Sequence, residues 1–129
     1  MDREILFRGK SISIGEWTEG NFVHRKQGVE YIRNNDSLLK VDPATVGQFT
    51  GLCDKNGVKI FEGDILRDGL GDDGVVTYFE SIASFKYRVG NEVWNLNEGD
   101  PNRSTQLQYT EVIGNIHDTP NLGLKEESE

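Results

Sequence analysis

The chain has 129 residues, 35% of them hydrophobic, with 15 glycines, a single cysteine and a formal net charge of −8. That length accommodates one modest core, and the lone Cys53 excludes an intramolecular disulfide framework and fits a reducing cytoplasm. The acidic balance opposes general attraction to phosphate backbones, no apolar run approaches the roughly 20 residues of a membrane span, and the opening MDREILFRGK lacks a secretory apolar run.

Taken in order, the first third alternates short apolar runs with breakers, which predicts strands of four or five residues joined by glycine turns. ILFR at 5–8 and SISI at 11–14 are read as strands, Gly15 and Glu19-Gly20-Asn21 as turns, and FVHR as the strand that follows. VEYIR at 29–33 follows Gly28, with Val29, Tyr31 and Arg33 on one face and Glu30 and Ile32 on the other; NND at 34–36 turns the chain into SLLKV. Asp42-Pro43 then offers a cap and a first helical position, so PATV predicts a single short helical turn. No window shows a sustained 3.6-residue apolar repeat, so little helix is expected.

In the middle of the chain two turn signals bracket a very short run. Asp54-Lys55-Asn56-Gly57 ends in the Asn-Gly pair that tolerates positive φ, and Glu62-Gly63-Asp64 turns the chain again before DILR. Between them VKIF at 58–61 predicts a strand with Val58 and Ile60 on its covered face and Lys59 and Phe61 opposite. DGLGDDG at 68–74 is an acidic glycine loop leading into GVVTYFE. In SIASFKYRV, Phe85, Tyr87 and Val89 alternate with Ser84, Lys86 and Arg88; Gly90-Asn91 is a hairpin signal before EVWNL, where Trp94 and Leu96 share a face. Residues 97–105 read as loop, 106–118 as one or two closing strands, and 119–129 as a polar tail. Such brief strands suit a small curved β roll, so the expected fold is mainly β: one domain over 1–125, with a β-rich N-terminal part at 1–44 and an SH3-like barrel at 45–118.

The chemistry-bearing residues are sparse. Asp68, Asp72 and Asp73 are the candidates for oxygen ligands to a divalent ion, with Glu62 and Asp64 nearby, but their spacing does not match the twelve-residue calcium loop, and a surface turn accounts for the composition. His24 and His117 stand 93 positions apart with no nucleophile signature around either; Cys53 has none either and is read as a small core or turn-flanking residue. No phosphate loop or paired-cysteine metal site is present, and no cofactor is implied. Residues 1–40 carry seven Lys or Arg against six Asp or Glu, so Arg3, Arg8, Lys10, Arg25, Lys26 and Arg33 form the candidate nucleic-acid surface, although scattered basic residues usually mark a solvated face. Aromatic residues from Trp17 to Trp94 are read as core or interface before base-stacking platform.

The stretch TGLCDKNGVKIFEGDIL resembles the signature of the YopX family, with Thr50, Gly51, Leu52, Asp54, Lys55, Asn56, Gly57, Ile60, Glu62, Gly63 and Asp64 at the matching places and Phe61 where tyrosine is usual. REILFRGK, GEWTEG, VDPATVGQFTG and EVIGNIHDTPNL extend the resemblance over nearly the whole chain; Cys53 stands where a charged residue is common and Thr119 where Asn or Glu is more usual. The resemblance implies a phage or prophage product, a mostly β domain related to SH3-like barrels, homo-oligomers in some members, and no assigned biochemical role or catalytic residue.

The expected function is therefore that of a non-enzymatic accessory or structural protein in the host cytoplasm, acting through protein contacts, self-association included. A nucleic-acid-binding module is the alternative, with nucleic acid disfavoured by the charge balance, and a metal-dependent hydrolase using the 62–73 carboxylates stands third.

Overall fold

The computed structural model describes residues 4–26, 28–35, 37–90, 92–96 and 109–119. Among these lie the strands β1 (Phe7–Lys10), β2 (Trp17–Lys26), β3 (Val29–Asn34), β4 (Ser37–Val41), β5 (Gly47–Cys53), β6 (Lys59–Phe61), β7 (Asp64–Arg67), β8 (Asp73–Phe79), β9 (Ser84–Val89), β10 (Glu92–Asn95) and β11 (Glu111–Asn115). Among the described residues helix is confined to one-turn segments such as Pro43–Thr45 and Glu80–Ile82. The protein is mainly β, in two antiparallel sheets. No helix among the described residues is long and apolar enough to cross a membrane.

The chain divides into two compact units, Met1–Gly51 and Leu52–Glu129. The first is built on the strand order β4-β3-β2-β1-β5; β6 follows β5, whose last two residues belong to the second unit. Beyond Lys10, Ser11 forms an isolated antiparallel bridge with Val41, Ile12 N–H donates to Lys40 O at 3.0 Å and Asp42 N–H donates to Lys10 O at 2.9 Å. These bonds bring the end of β1 onto the end of β4, so β1 to β4 curl around Ile32 and Val41, which are fully buried. Phe7 and Phe22, with ring centroids 5.4 Å apart, lie in the same pleat phase as Ile32 and fill the inside of the curl.

Two expected features of this unit are corrected. SISI is not a strand: Ser11 bridges, and residues 12–14 turn, with Ser11 Oγ accepting from Ile14 N–H at 3.4 Å and Gly15 at φ +70°. Nor does Glu19-Gly20-Asn21 turn the chain; β2 runs straight through it. Gly20 is required by proximity instead, since a Cβ there would lie 2.1 Å from Arg33 O on the neighbouring strand. The Asp42 cap holds as expected, its Oδ1 accepting from Ala44 N–H at 3.1 Å.

The second unit carries the sheet β10-β9-β8-β7-β11. Its core gathers Ile60, Leu66, Val76, Tyr87 and Val89, with Leu52, Phe85, Leu96 and Val112 against them. The alternation expected in β9 is present, with Tyr87 and Val89 buried and Arg88 exposed, and β9 and β10 join as a hairpin in which Val89 faces Glu92. VKIF departs from its expected phase. Val58 is 47% exposed because it still belongs to the turn, while Ile60 and Phe61 are both buried, at 0% and 2%. The sheet order is linear, from β10 to β11, so no closed barrel is formed by the described strands. The loop at 97–105 and nearly all of the tail at 119–129 fall outside the described residues.

Candidate functional site

The signature segment is a backbone-anchoring device. Asp54 is buried, and its Oδ1 accepts from Asn56 N–H at 2.8 Å and Val58 N–H at 2.9 Å, an aspartate turn that shapes the chain before Asn56-Gly57. Its Oδ2 accepts from Val112 N–H at 2.9 Å, while Lys55 N–H donates to Thr110 O at 3.0 Å. One side chain thus closes a hairpin and docks β11. Gly57, at φ +82°, completes the reversal.

The second turn works alike. Asp64 is 2% exposed, and its Oδ2 accepts from Phe61 N–H at 2.7 Å across the turn. Gly63, at φ +93°, donates its N–H to Val76 O at 2.8 Å and accepts at its carbonyl from Ile116 N–H at 2.9 Å. Of the other signature positions, Leu52 and Ile60 pack in or against the core and Gly51 has φ +91° inside β5; Thr50 is part of β5 and Glu62 of the turn. Cys53 is exposed at the end of β5, which leaves the turn-flanking reading and removes the core one.

The acidic loop follows the same pattern. Asp68 Oδ1 accepts from Leu70 N–H at 2.9 Å and Asp72 N–H at 3.0 Å, and the Tyr87 hydroxyl lies 3.3 Å from Asp68 Oδ2, 3.3 Å from Leu66 O and 3.0 Å from Asp72 O. Tyr87 reaches the loop because Gly74 has no side chain; a Cβ there would stand 2.4 Å from Tyr87 Cε1. Asp73 instead pairs with Arg67, Nε to Oδ1 at 2.8 Å and Nη2 to Oδ2 at 3.2 Å, and this contact raises the guanidinium pKa above its usual value. Asp68 and Asp73 thus point to different partners, and no group of three His, Cys, Asp or Glu side chains among the described residues could hold a metal ion. His24 Nδ1 and Glu30 Oε2 are 3.1 Å apart across β2 and β3. His117 N–H donates to Asn115 Oδ1 at 2.9 Å, so the residue is part of another side-chain-capped turn.

The basic candidates meet on one surface. Register places Arg8 opposite Glu19, Lys10 opposite Trp17, Tyr31 opposite Lys40 and Arg33 opposite Asn21, and a bulge between His24 and Lys26 sets Lys26 against Val29. Opposed residues share a sheet face, and so do residues two apart. Arg8, Lys10, Lys26, Arg33 and Lys40 therefore emerge on the outside of the curl, away from Ile32 and Val41. Arg25 joins them, its guanidinium 5.4 Å above the Tyr31 ring; Arg8 and Lys10 lie 4.7 and 5.9 Å from the Trp17 ring. Arg3 lies outside the described residues. Lys40 is the member that sequence reading missed; counting back from the NND turn would have paired it with Tyr31.

With this geometry in place, the comparisons decide kinship. A family model described as YopX protein matches residues 3–123. The chain belongs to the YopX family. The matched span includes the DKNG and EGD turns of this YopX chain. Among solved structures it is similar to protein EF1440 from Enterococcus faecalis, at TM-score 0.58 and 24% identity, over 95% of this chain and 100% of that one. That likeness shows a shared fold. No curated protein matches the chain.

Proposed function

We propose that this YopX chain is a phage- or prophage-encoded accessory protein without enzymatic activity, working in the host cytoplasm through contacts with other proteins, its own copies among them. The observation that carries the reading is the use of the signature carboxylates: Asp54 and Asp64 turn their oxygens to backbone N–H groups and are buried there. A carboxylate holding backbone donors is in place to shape a scaffold and is poorly placed for proton transfer. The metal-dependent hydrolase loses support for a similar reason, because Asp68 caps its loop and Asp73 holds Arg67.

Self-association is supported by β10, one of the two described edge strands of its sheet, on which Val93 is 45% exposed. An edge strand bearing an exposed apolar residue is a template for pairing with another chain. Within the 45–118 part expected to be a barrel, we read the short strands gathered around Ile60, Leu66, Val76, Tyr87 and Val89 as an SH3-like roll. Size-exclusion chromatography with light scattering at about 100 μM tests the assembly; an oligomer dissociated by Val93→Lys supports it, and a strict monomer overturns it.

A further inference from the structure

We propose that the outer face of the curled β1–β4 sheet is a binding surface for single-stranded nucleic acid. The inference is independent of self-association through β10. Six cations share this face, namely Arg8, Lys10, Arg25, Lys26, Arg33 and Lys40, against one carboxylate of the described strands, Glu19. Arg25, Lys26, Arg33 and Lys40 are exposed. The bulge in β2 contributes directly, because the extra residue lets Arg25 and Lys26, adjacent in sequence, emerge on the same side.

This concentration is unusual for the protein. Residues 1–51 hold seven basic and seven acidic residues, so Leu52–Glu129 carry the entire net charge of −8. Within a neutral unit the curl has sorted the cations outward on one surface. At physiological ionic strength charges are screened over about 8 Å, so a polyanion seated on this face feels chiefly the cations it touches.

Two features select a single strand over a duplex or an acidic protein. Trp17 and Tyr31 are half-buried among the cations, and each is approached by a guanidinium, so planar groups and positive charges alternate across the surface. Unpaired bases stack on such rings and on arginine planes, whereas paired bases cannot and an acidic peptide has no base to offer. The face is also the outside of a curl. A duplex, itself convex, meets it along a line; a flexible strand can wrap over it.

The test is fluorescence anisotropy of the full chain with labelled 15-nucleotide dT and rU strands and a 15-base-pair duplex, at 50 and 200 mM salt. The single strands bind and the duplex binds at least tenfold more weakly; comparing dT with rU identifies the sugar preferred. With about four phosphates contacted, affinity falls about 50-fold between the two salt concentrations. Arg33→Glu with Lys40→Glu, both exposed positions, lowers affinity at least tenfold with an unchanged melting temperature. Lys55→Glu with Arg88→Glu alters net charge equally on the other unit and leaves binding within twofold. Absence of single-strand binding at 50 mM salt overturns the proposal, as does equal weakening by the two double variants. So does an outcome in which the Arg33/Lys40 variant abolishes self-association while no oligonucleotide binds, because the face then serves a protein.

Discussion

Asp54 Oδ2 and the Val112 N–H are joined by a 2.9 Å hydrogen bond across 58 residues of sequence. The same carboxylate holds its own hairpin turn through Oδ1, so forming the turn and seating β11 are not separate events. A local sequence signal thereby acquires a long-range consequence. This accounts for aspartate at the first position of DKNG: asparagine offers a single acceptor oxygen where three N–H groups converge on two.

Replacing this residue tests that claim. Asp54→Ala removes the acceptor of three N–H groups, and charge-assisted bonds of this kind contribute about 1.5–3 kcal/mol each, but Asn56 and Val58 are exposed, so water replaces part of what their N–H groups lose. We expect a loss of about 3 kcal/mol in urea denaturation, and a smaller loss of about 1–2 kcal/mol for Asp54→Asn, which keeps the turn bonds and turns an amide toward Val112. Equal losses would show that the two turn bonds contribute little, and an Asp54→Asn protein as stable as the parent would show the same of the Val112 bond.

Local chemistry was legible in the sequence and register was not. Asp42-Pro43 and Asn56-Gly57 were readable because cap and turn geometry depend on residues adjacent in the chain. Gly20 misled because a glycine demanded by a neighbouring strand looks the same as one demanded by a turn. Val58 and Phe61 exchanged their expected environments because the strand begins one residue later than alternation alone implies, and Phe61 is drawn inward with Asp64. The cation face was legible as a list of residues. Its coherence depends on strand pairing and on the bulge at His24 and Lys26, neither of which leaves a mark in composition.

Tyr87 anchors the acidic loop from within the core. Tyr87→Phe removes its hydroxyl from beside Asp72 O, Asp68 Oδ2 and Leu66 O without changing the ring's packing, so we expect a cost of about 1–2 kcal/mol in urea denaturation. Hydrogen exchange of the Leu70 and Asp72 amides, both bonded to Asp68 Oδ1, should accelerate more than that of β9 amides. Uniform acceleration across the unit would show that the hydroxyl supports global stability alone.

Cys53 offers a direct check on the end of β5. Its thiol is exposed, so one equivalent of a thiol reagent such as DTNB should react with the native protein at a rate within about tenfold of that in denaturant. A thiol that reacts only after unfolding would place Cys53 in the interior and contradict the observed phase of β5. The neighbouring Leu52 packs against the core, which is why a shift of one residue would reverse the outcome.

Gly20 and Gly15 separate two reasons for glycine. At Gly15 the backbone has φ +70° and a Cβ would meet nothing within 4 Å, so Gly15→Ala costs only the left-handed conformation, about 1–2 kcal/mol. At Gly20 the backbone is extended, but a Cβ would stand 2.1 Å from Arg33 O and 3.1 Å from Ile32 Cγ2, between β2 and β3. Backbone cannot yield there without breaking the Asn21–Arg33 and Phe22–Ile32 pairs that follow. We expect Gly20→Ala to cost about 2–3 kcal/mol, at the upper end of overpacking penalties, and to expose the β3 amides to hydrogen exchange while those of β8 and β9 stay protected. A Gly20→Ala protein as stable as the parent would mean that β2 and β3 lie farther apart at this point than the register places them.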